Sequence, residues 1–133
     1  MAIKALTPIM QVEDVARTVD FFTRALGFTQ TGEHRHEGRL VWANVQRDGV
    51  HLMLGEGHTH DEAGGTLPID HSQGHREVAL YYYAEDVAAL REEFLGRGVE
   101  VSELSVTFYG MREFMVTDPD GFELIFGQEA AGD

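Results

Sequence analysis

The sequence predicts an α+β fold made of two βαβββ modules, and three observations predict it. Residues 110–127, GMREFMVTDPDGFELIFG, set two apolar-rich runs of strand length around Asp118-Pro119-Asp120-Gly121. Proline presets φ early in such a turn, and glycine supplies the positive φ that closes it. The end of this hairpin has an echo upstream. Asp48-Gly49-Val50-His51-Leu52-Met53-Leu54-Gly55 parallels Asp120-Gly121-Phe122-Glu123-Leu124-Ile125-Phe126-Gly127 at a shift of 72 (121 − 49). Glu13-Asp14-Val15-Ala16 recurs as Glu85-Asp86-Val87-Ala88 at the same shift (85 − 13 = 72). Two turns and two helix starts at one spacing indicate a duplication, and modules this small bury their faces together.

Each element follows from local signals. Residues 5–12 are apolar and extended in character, the first strand of a module over 5–55. Asp14 stands at an N-cap position, where its carboxylate accepts orphaned N–H groups. Val15, Val19, Phe22 and Leu26 follow at helical spacing and Gly27 ends the run, which predicts a helix over 14–26. Residues 28–35 and 40–47 read as strands, and 50–55 as a third, reached through Asp48-Gly49. Residues 56–76, with their glycines, Pro68 and the histidines His58, His60, His71 and His75, read as an irregular linker. A second module over 77–128 repeats the plan. It has a strand over 78–84, then a helix over 86–97 capped by Asp86 with the stripe Val87, Leu90 and Phe94. A strand over 99–104 and the closing hairpin complete it. The 133 residues thus form one domain of two modules.

Strand alternation sorts side chains to two faces. Leu6, Met10, Val12, Val50, Leu52, Leu54, Val78, Leu80, Tyr82, Phe122, Leu124 and Phe126 make an apolar set that belongs under the helices. The opposite set is mixed: Thr7, Ile9, Gln11, His51, Met53, Glu77, Ala79, Tyr81, Tyr83, Glu123 and Ile125. Such a face either lines a curved, ligand-holding surface or meets another subunit. The place of Trp42 depends on the turn after Arg47. A two-residue loop puts Trp42 on the mixed face, and a three-residue loop buries it under the helix.

Composition narrows the functions. Ten basic against 23 acidic residues leave a net charge of −13, which argues against nucleic acid and against an anionic membrane surface. The charge suits a cationic partner, or simply a solvated acidic surface. There is no cysteine, so thiol and disulfide chemistry are out. No charged-then-apolar leader opens the chain and no apolar run approaches ~18 residues, so a soluble, cytoplasmic protein is expected. No Ser/His/Asp set, nucleophile elbow or glycine-rich phosphate loop can be defended.

Paired βαβββ modules, EDVARTVDFFTRALGF in the first and MREFMVTDPDGFELIFGQ closing the second resemble the glyoxalase, bleomycin-resistance and extradiol-dioxygenase superfamily, the vicinal oxygen chelate proteins. GMREF followed by DPDG resembles the bleomycin-resistance branch most. Metal-using members carry His, Gln or Glu on the first and last strands of each module. By position those places fall on Thr7, Met53, Ala79 and Ile125, a poor set for a hard or borderline divalent cation. Without the metal, the Lewis-acid chemistry of those relatives has no engine. His51, Glu77 and Glu123 lie two residues from such places, either as a polar wall or as an offset metal site. His58-Thr59-His60-Asp61 reads as an exposed tract, with metal binding the alternative.

The resemblance therefore implies a binding protein without a cofactor: a homodimer that sequesters a small, cationic, aromatic ligand between subunits. The candidate ligand-binding residues are Thr7, Trp42, His51, Met53, Glu77, Tyr81, Tyr83, Met115, Glu123 and Ile125. The tyrosines and Trp42 would stack, and the glutamates would answer positive charge. The alternative is a metal-dependent lyase or dioxygenase using His51, Glu77 and Glu123. A third reading is a stress-related relative whose ligand is not an antibiotic.

Overall fold

Two aspartates start the two helices. Asp14 accepts from the Arg17 N–H at 3.1 Å and opens α1 (Val15–Asp20). Asp86 does the same for the Ala89 N–H at 3.1 Å and opens α2 (Val87–Gly96). A computed structural model describes residues 1–56 and 78–130 in full and, between them, only the backbone of 58–60, 66–68 and 75–77. Past Asp20 the first helix loosens into a π-helical turn, Phe21–Ala25. Regular 3.6-residue spacing does not announce such a turn. It keeps Phe22 and Leu26 fully buried, and the Phe28 N–H closes the end onto the Phe22 carbonyl at 3.0 Å.

The chain divides into two units, Met1–Ser72 and Gln73–Asp133. The first holds a sheet of β1 (Ile9–Val12), β2 (Thr29–His36), β3 (Arg39–Arg47) and β4 (Val50–Glu56), ordered β1-β4-β3-β2. After it β5 (His58–His60) and β6 (Thr66–Pro68) pair with each other. The second unit holds β7 (His75–Tyr83), β8 (Ser105–Val106), β9 (Met111–Thr117) and β10 (Phe122–Glu129), ordered β7-β10-β9-β8. In each four-stranded sheet the first and last strands run parallel and the other pairs antiparallel. Ile9 pairs with Met53 and Tyr81 with Ile125, so both partners repeat at a shift of 72 (81 − 9 and 125 − 53). This is the expected α+β, two-module plan.

Each sheet buries one face. Met10, Val12, Ala43, Val45, Leu52 and Leu54 are buried in the first unit with Val15, Val19 and Phe22 of the helix, which lies against β3 and β4. In the second, Phe94 of α2 meets Phe114 and Phe126 with ring centroids 5.9 and 5.2 Å away. Each such ring contributes roughly 2–3 kcal/mol by leaving water. Gln128 ties the last strand to the helix start. Its Oε1 accepts from the Val87 N–H at 2.6 Å, and its Nε2 donates to the Glu85 carbonyl at 3.0 Å.

Several expectations are corrected. The first strand begins at Ile9, not at residue 5, and Leu6, expected in the core, is exposed. Pro8 has no N–H to give a ladder, and its carbonyl, accepting from the Met53 N–H at 2.9 Å, marks where pairing starts. Val50, at the start of β4, and Val78, within β7, also expected in the core, are exposed. Residues 99–104 are not a strand. The Arg91 guanidinium takes the Ser102 carbonyl at 2.9 Å, and the Ser102 hydroxyl replaces it as acceptor for the Met115 N–H at 2.7 Å. Regular pairing resumes only at Ser105. The 56–76 stretch contains the short β5–β6 pair and the start of β7 rather than irregular chain alone.

The two hairpin turns differ in length, with consequences for the faces. Asp48 and Gly49 both have positive φ (53° and 81°), a two-residue type I′ turn whose twist suits flanking strands. The second turn is longer and is pinned by Asp118, whose Oδ1 accepts from the Asp120 and Phe122 N–H groups at 2.9 Å each. Asp118 Oδ2 is buried with no hydrogen-bond partner among the described residues. Burial raises the Asp118 carboxyl to about 6, against those backbone donors. Among the described residues no helix is long and apolar enough to cross a membrane.

Candidate functional site

The face of each sheet turned away from its helix carries the candidate residues. In the first unit the short turn decides the row order: Trp42 pairs with Gly55, Asn44 with Met53 and Gln46 with His51. Trp42 therefore shares the mixed face with His51, Met53, Asn44 and Gln46, which answers the question the sequence leaves open. Its ring lies over Gly32, where an added Cβ would stand 3.3 Å from two ring carbons. Asn44 Nδ2 donates to Thr31 Oγ1 at 2.6 Å and lies 3.0 Å from His51 Nδ1, so the imidazole is held at one nitrogen. Thr7 precedes β1 and is half-buried.

In the second unit the same face is aromatic and acidic. Tyr81, Ile125 and Met115 form one row across β7, β10 and β9; Tyr83, Gly127 and Glu113 form the next. The Tyr81 ring leans from its own row across Gly127, so that its hydroxyl donates to Glu113 Oε2 at 2.6 Å. Tyr109, in the loop between β8 and β9, donates to the same Oε2 at 2.9 Å. The Tyr81 and Tyr83 rings stand 5.1 Å apart, and Tyr83 is 82% exposed. The Tyr81 phenol is pushed up by burial and then by the Glu113 hydrogen bond. For Tyr109 the Glu113 bond is the main cause of a rise. Both phenols stay protonated and donate to the one Glu113 oxygen.

The structure thus brings Trp42, His51 and Met53 together on one face, and Tyr81, Tyr83, Met115 and Ile125 on another. Glu123 sits at the opposite end of its face, exposed and level with Ala79 and Thr117. It is four residues along β10 from Gly127, or roughly 13 Å. The Glu77 side chain and the histidines at 58, 60, 71 and 75 lie outside the described side chains. Sequence reasoning missed Glu113 and Tyr109. Alternation through 111–117 puts Glu113 on the face of Met115, and a glycine within a strand marks close approach by a neighbour.

A divalent metal is poorly matched by these residues. Met53 and Ile125, the last-strand places, offer a thioether and an alkyl chain between Ile9 and Asn44 and between Tyr81 and Met115. Among the described residues no three His, Asp or Glu side chains gather as a metal group. The donors that do converge are protonated phenols on one carboxylate, which is hydrogen-bond chemistry rather than ligation.

Comparison with known proteins agrees with this architecture. The model of the Glyoxalase/Bleomycin resistance protein/Dioxygenase superfamily matches residues 4–126. A Mycobacterium bovis protein, Mb0911c, is 29% identical over 126 residues, covering 93% of this chain and 82% of its own. The bleomycin-binding protein of bleomycin-producing Streptomyces verticillus, solved with copper(II)-bleomycin, superposes with a TM-score of 0.72 at 22% identity, over 100% of this chain and 99% of that one. A glyoxalase-related enzyme from Clostridium phytofermentans superposes with a TM-score of 0.72 at 19% identity, over 97% of each chain.

Proposed function

The chain belongs to this superfamily, and from that premise we propose that it is a cytoplasmic binding protein that sequesters a small cationic, aromatic ligand. The observation that carries the reading is the Tyr81, Tyr83 and Tyr109 group around the Glu113 carboxylate on an open sheet face. Aromatic rings supply stacking worth roughly 0.5–1.5 kcal/mol each beyond area burial. A carboxylate beside them selects positive charge. In this reading Trp42, His51, Met53 and Thr7 of the first unit and Met115, Ile125, Glu77 and Glu123 of the second are the other residues offered to the ligand. The bleomycin-binding relative shares this fold and gives the first ligand to try. The working unit in this reading is a homodimer that closes the ligand faces between two copies, with no catalytic metal.

Thermal unfolding with bleomycin and a panel of cationic aromatic drugs tests the reading. A ligand present at 100 times its dissociation constant adds roughly 2.7 kcal/mol, so at least one compound is expected to raise the melting temperature clearly. Light scattering is expected to return the dimer mass at micromolar concentration. No stabilisation by any compound, or stoichiometric zinc, nickel, manganese or iron lost on His51→Ala, would transfer the case to a metal-dependent lyase or dioxygenase.

A further inference from the structure

Resting on the sequestration reading, we propose that Glu113 is the residue that reads the ligand's positive charge, and that it takes one alkylammonium or guanidinium group. Both phenols donate to the same oxygen, Oε2. Two donors fill the lone pairs of that atom. Oε1 has no donor among the described residues, and no arginine or lysine among them pairs with Glu113. Arg112, its neighbour in sequence, projects to the other face of β9 by strand alternation. A half-buried carboxylate is therefore oriented by two phenols on one oxygen and offers the other outward.

The surroundings fit an organic cation better than a metal ion. Tyr81 and Tyr109 bond the carboxylate and the Tyr83 ring stands 5.1 Å from that of Tyr81, and aromatic rings beside a carboxylate attract ammonium and guanidinium groups. A hard divalent ion would need several further oxygens, and among the described residues no group of three acidic or histidine side chains supplies them. Gly127 is the device that builds the anchor. A Cβ there would overlap the Tyr81 hydroxyl, so only glycine lets the ring cross β10. Glu123 stands at the far end of the sheet face, level with Ala79 and Thr117. The anchor is thus Glu113.

The test titrates bleomycin against wild type, Glu113→Gln and Glu103→Gln, the last an exposed acid outside the Tyr81, Tyr109 and Glu113 hydrogen bonds. One charge-assisted hydrogen bond corresponds to roughly ten- to hundredfold in affinity. Glu113→Gln is expected to weaken binding at least about tenfold, through faster release, and Glu103→Gln less than about twofold. On unaltered protein, tryptamine is expected to compete for the site and N-acetyltryptamine, the same ring without the charge, to fail. This arm holds even if the variant folds poorly. Wild type that binds while Glu113→Gln stays within about twofold, or equal competition by both probes, overturns the assignment and leaves sequestration standing. Wild type that binds neither bleomycin nor tryptamine sinks the sequestration reading and this one with it.

Discussion

Asp118→Ala is expected to unfold more easily than Asp118→Asn by about 2–4 kcal/mol. Asp118 Oδ1 holds two backbone N–H groups of a buried turn, those of Asp120 and Phe122, at 2.9 Å each. Alanine removes this acceptor from both, at roughly 1–2 kcal/mol apiece. Asparagine keeps a carbonyl oxygen in the same place, so the pair isolates the hydrogen bonds from the charge. Urea unfolding of the two variants at pH 7 checks it. Equal midpoints would mean the turn is held by its backbone alone.

The charge itself works the other way. Burial raises the Asp118 carboxyl from the usual 3.8 to about 6 in the folded protein. The folded state then binds this proton more tightly than the unfolded chain does. Its contribution to stability is fully present below about pH 4 and is lost as pH rises through about 6. The wild type therefore carries a cost of order 2–3 kcal/mol above that window. Asp118→Asn is expected to gain stability relative to wild type between pH 4 and pH 7, and to gain little more beyond. A difference between the two that does not change with pH would contradict the burial argument.

Gly127→Ala is expected to lower ligand affinity about tenfold, the scale of one lost aromatic contact at its upper end. The new Cβ overlaps the Tyr81 hydroxyl and would stand 2.7 Å from its Cζ, so the ring must swing away from Glu113. The equivalent change in the first unit supplies the control. A Cβ on Gly55 meets nothing closer than Ile9 Cγ2 and the Val41 carbonyl at 4.0 Å. Gly55→Ala should be neutral, or stabilising by up to about 1 kcal/mol through the unfolded state. Melting curves and bleomycin titrations of both variants separate the cases. Equal effects of the two alanines would remove the role given to the Tyr81 crossing.

Much of the fold is legible because the same signals occur twice. Asp14 with Asp86 and Gly49 with Gly121 locate the helix starts and hairpins, and the first and last strands of the two modules then pair in one register. What local signals cannot carry is competition for backbone groups. Nothing in residues 99–104 says that Arg91 will take the Ser102 carbonyl, or that Pro8 will delay the first ladder until Ile9. The site divides in the same way. Alternation places Tyr81, Tyr83 and Ile125 on one face, but the one-residue difference between the turns hides the fact that Trp42 and Glu113 occupy matching places. Trp42 faces Gly55 and Glu113 faces Gly127, 71 residues apart rather than 72 (113 − 42). A carry-over at a single shift therefore passes Glu113 by.

The most direct measurement of the central claim is isothermal titration calorimetry of the purified protein with bleomycin, followed by the rest of the cationic aromatic panel. Sequestration predicts injection heats that return to baseline and saturate, with a dissociation constant well below about 1 mM, which corresponds to −4.1 kcal/mol. Because long-range attraction to a chain of net charge −13 is screened by salt, association should slow as ionic strength rises. Heat that persists after each injection, as in turnover, or no binding by any member of the panel, would contradict it.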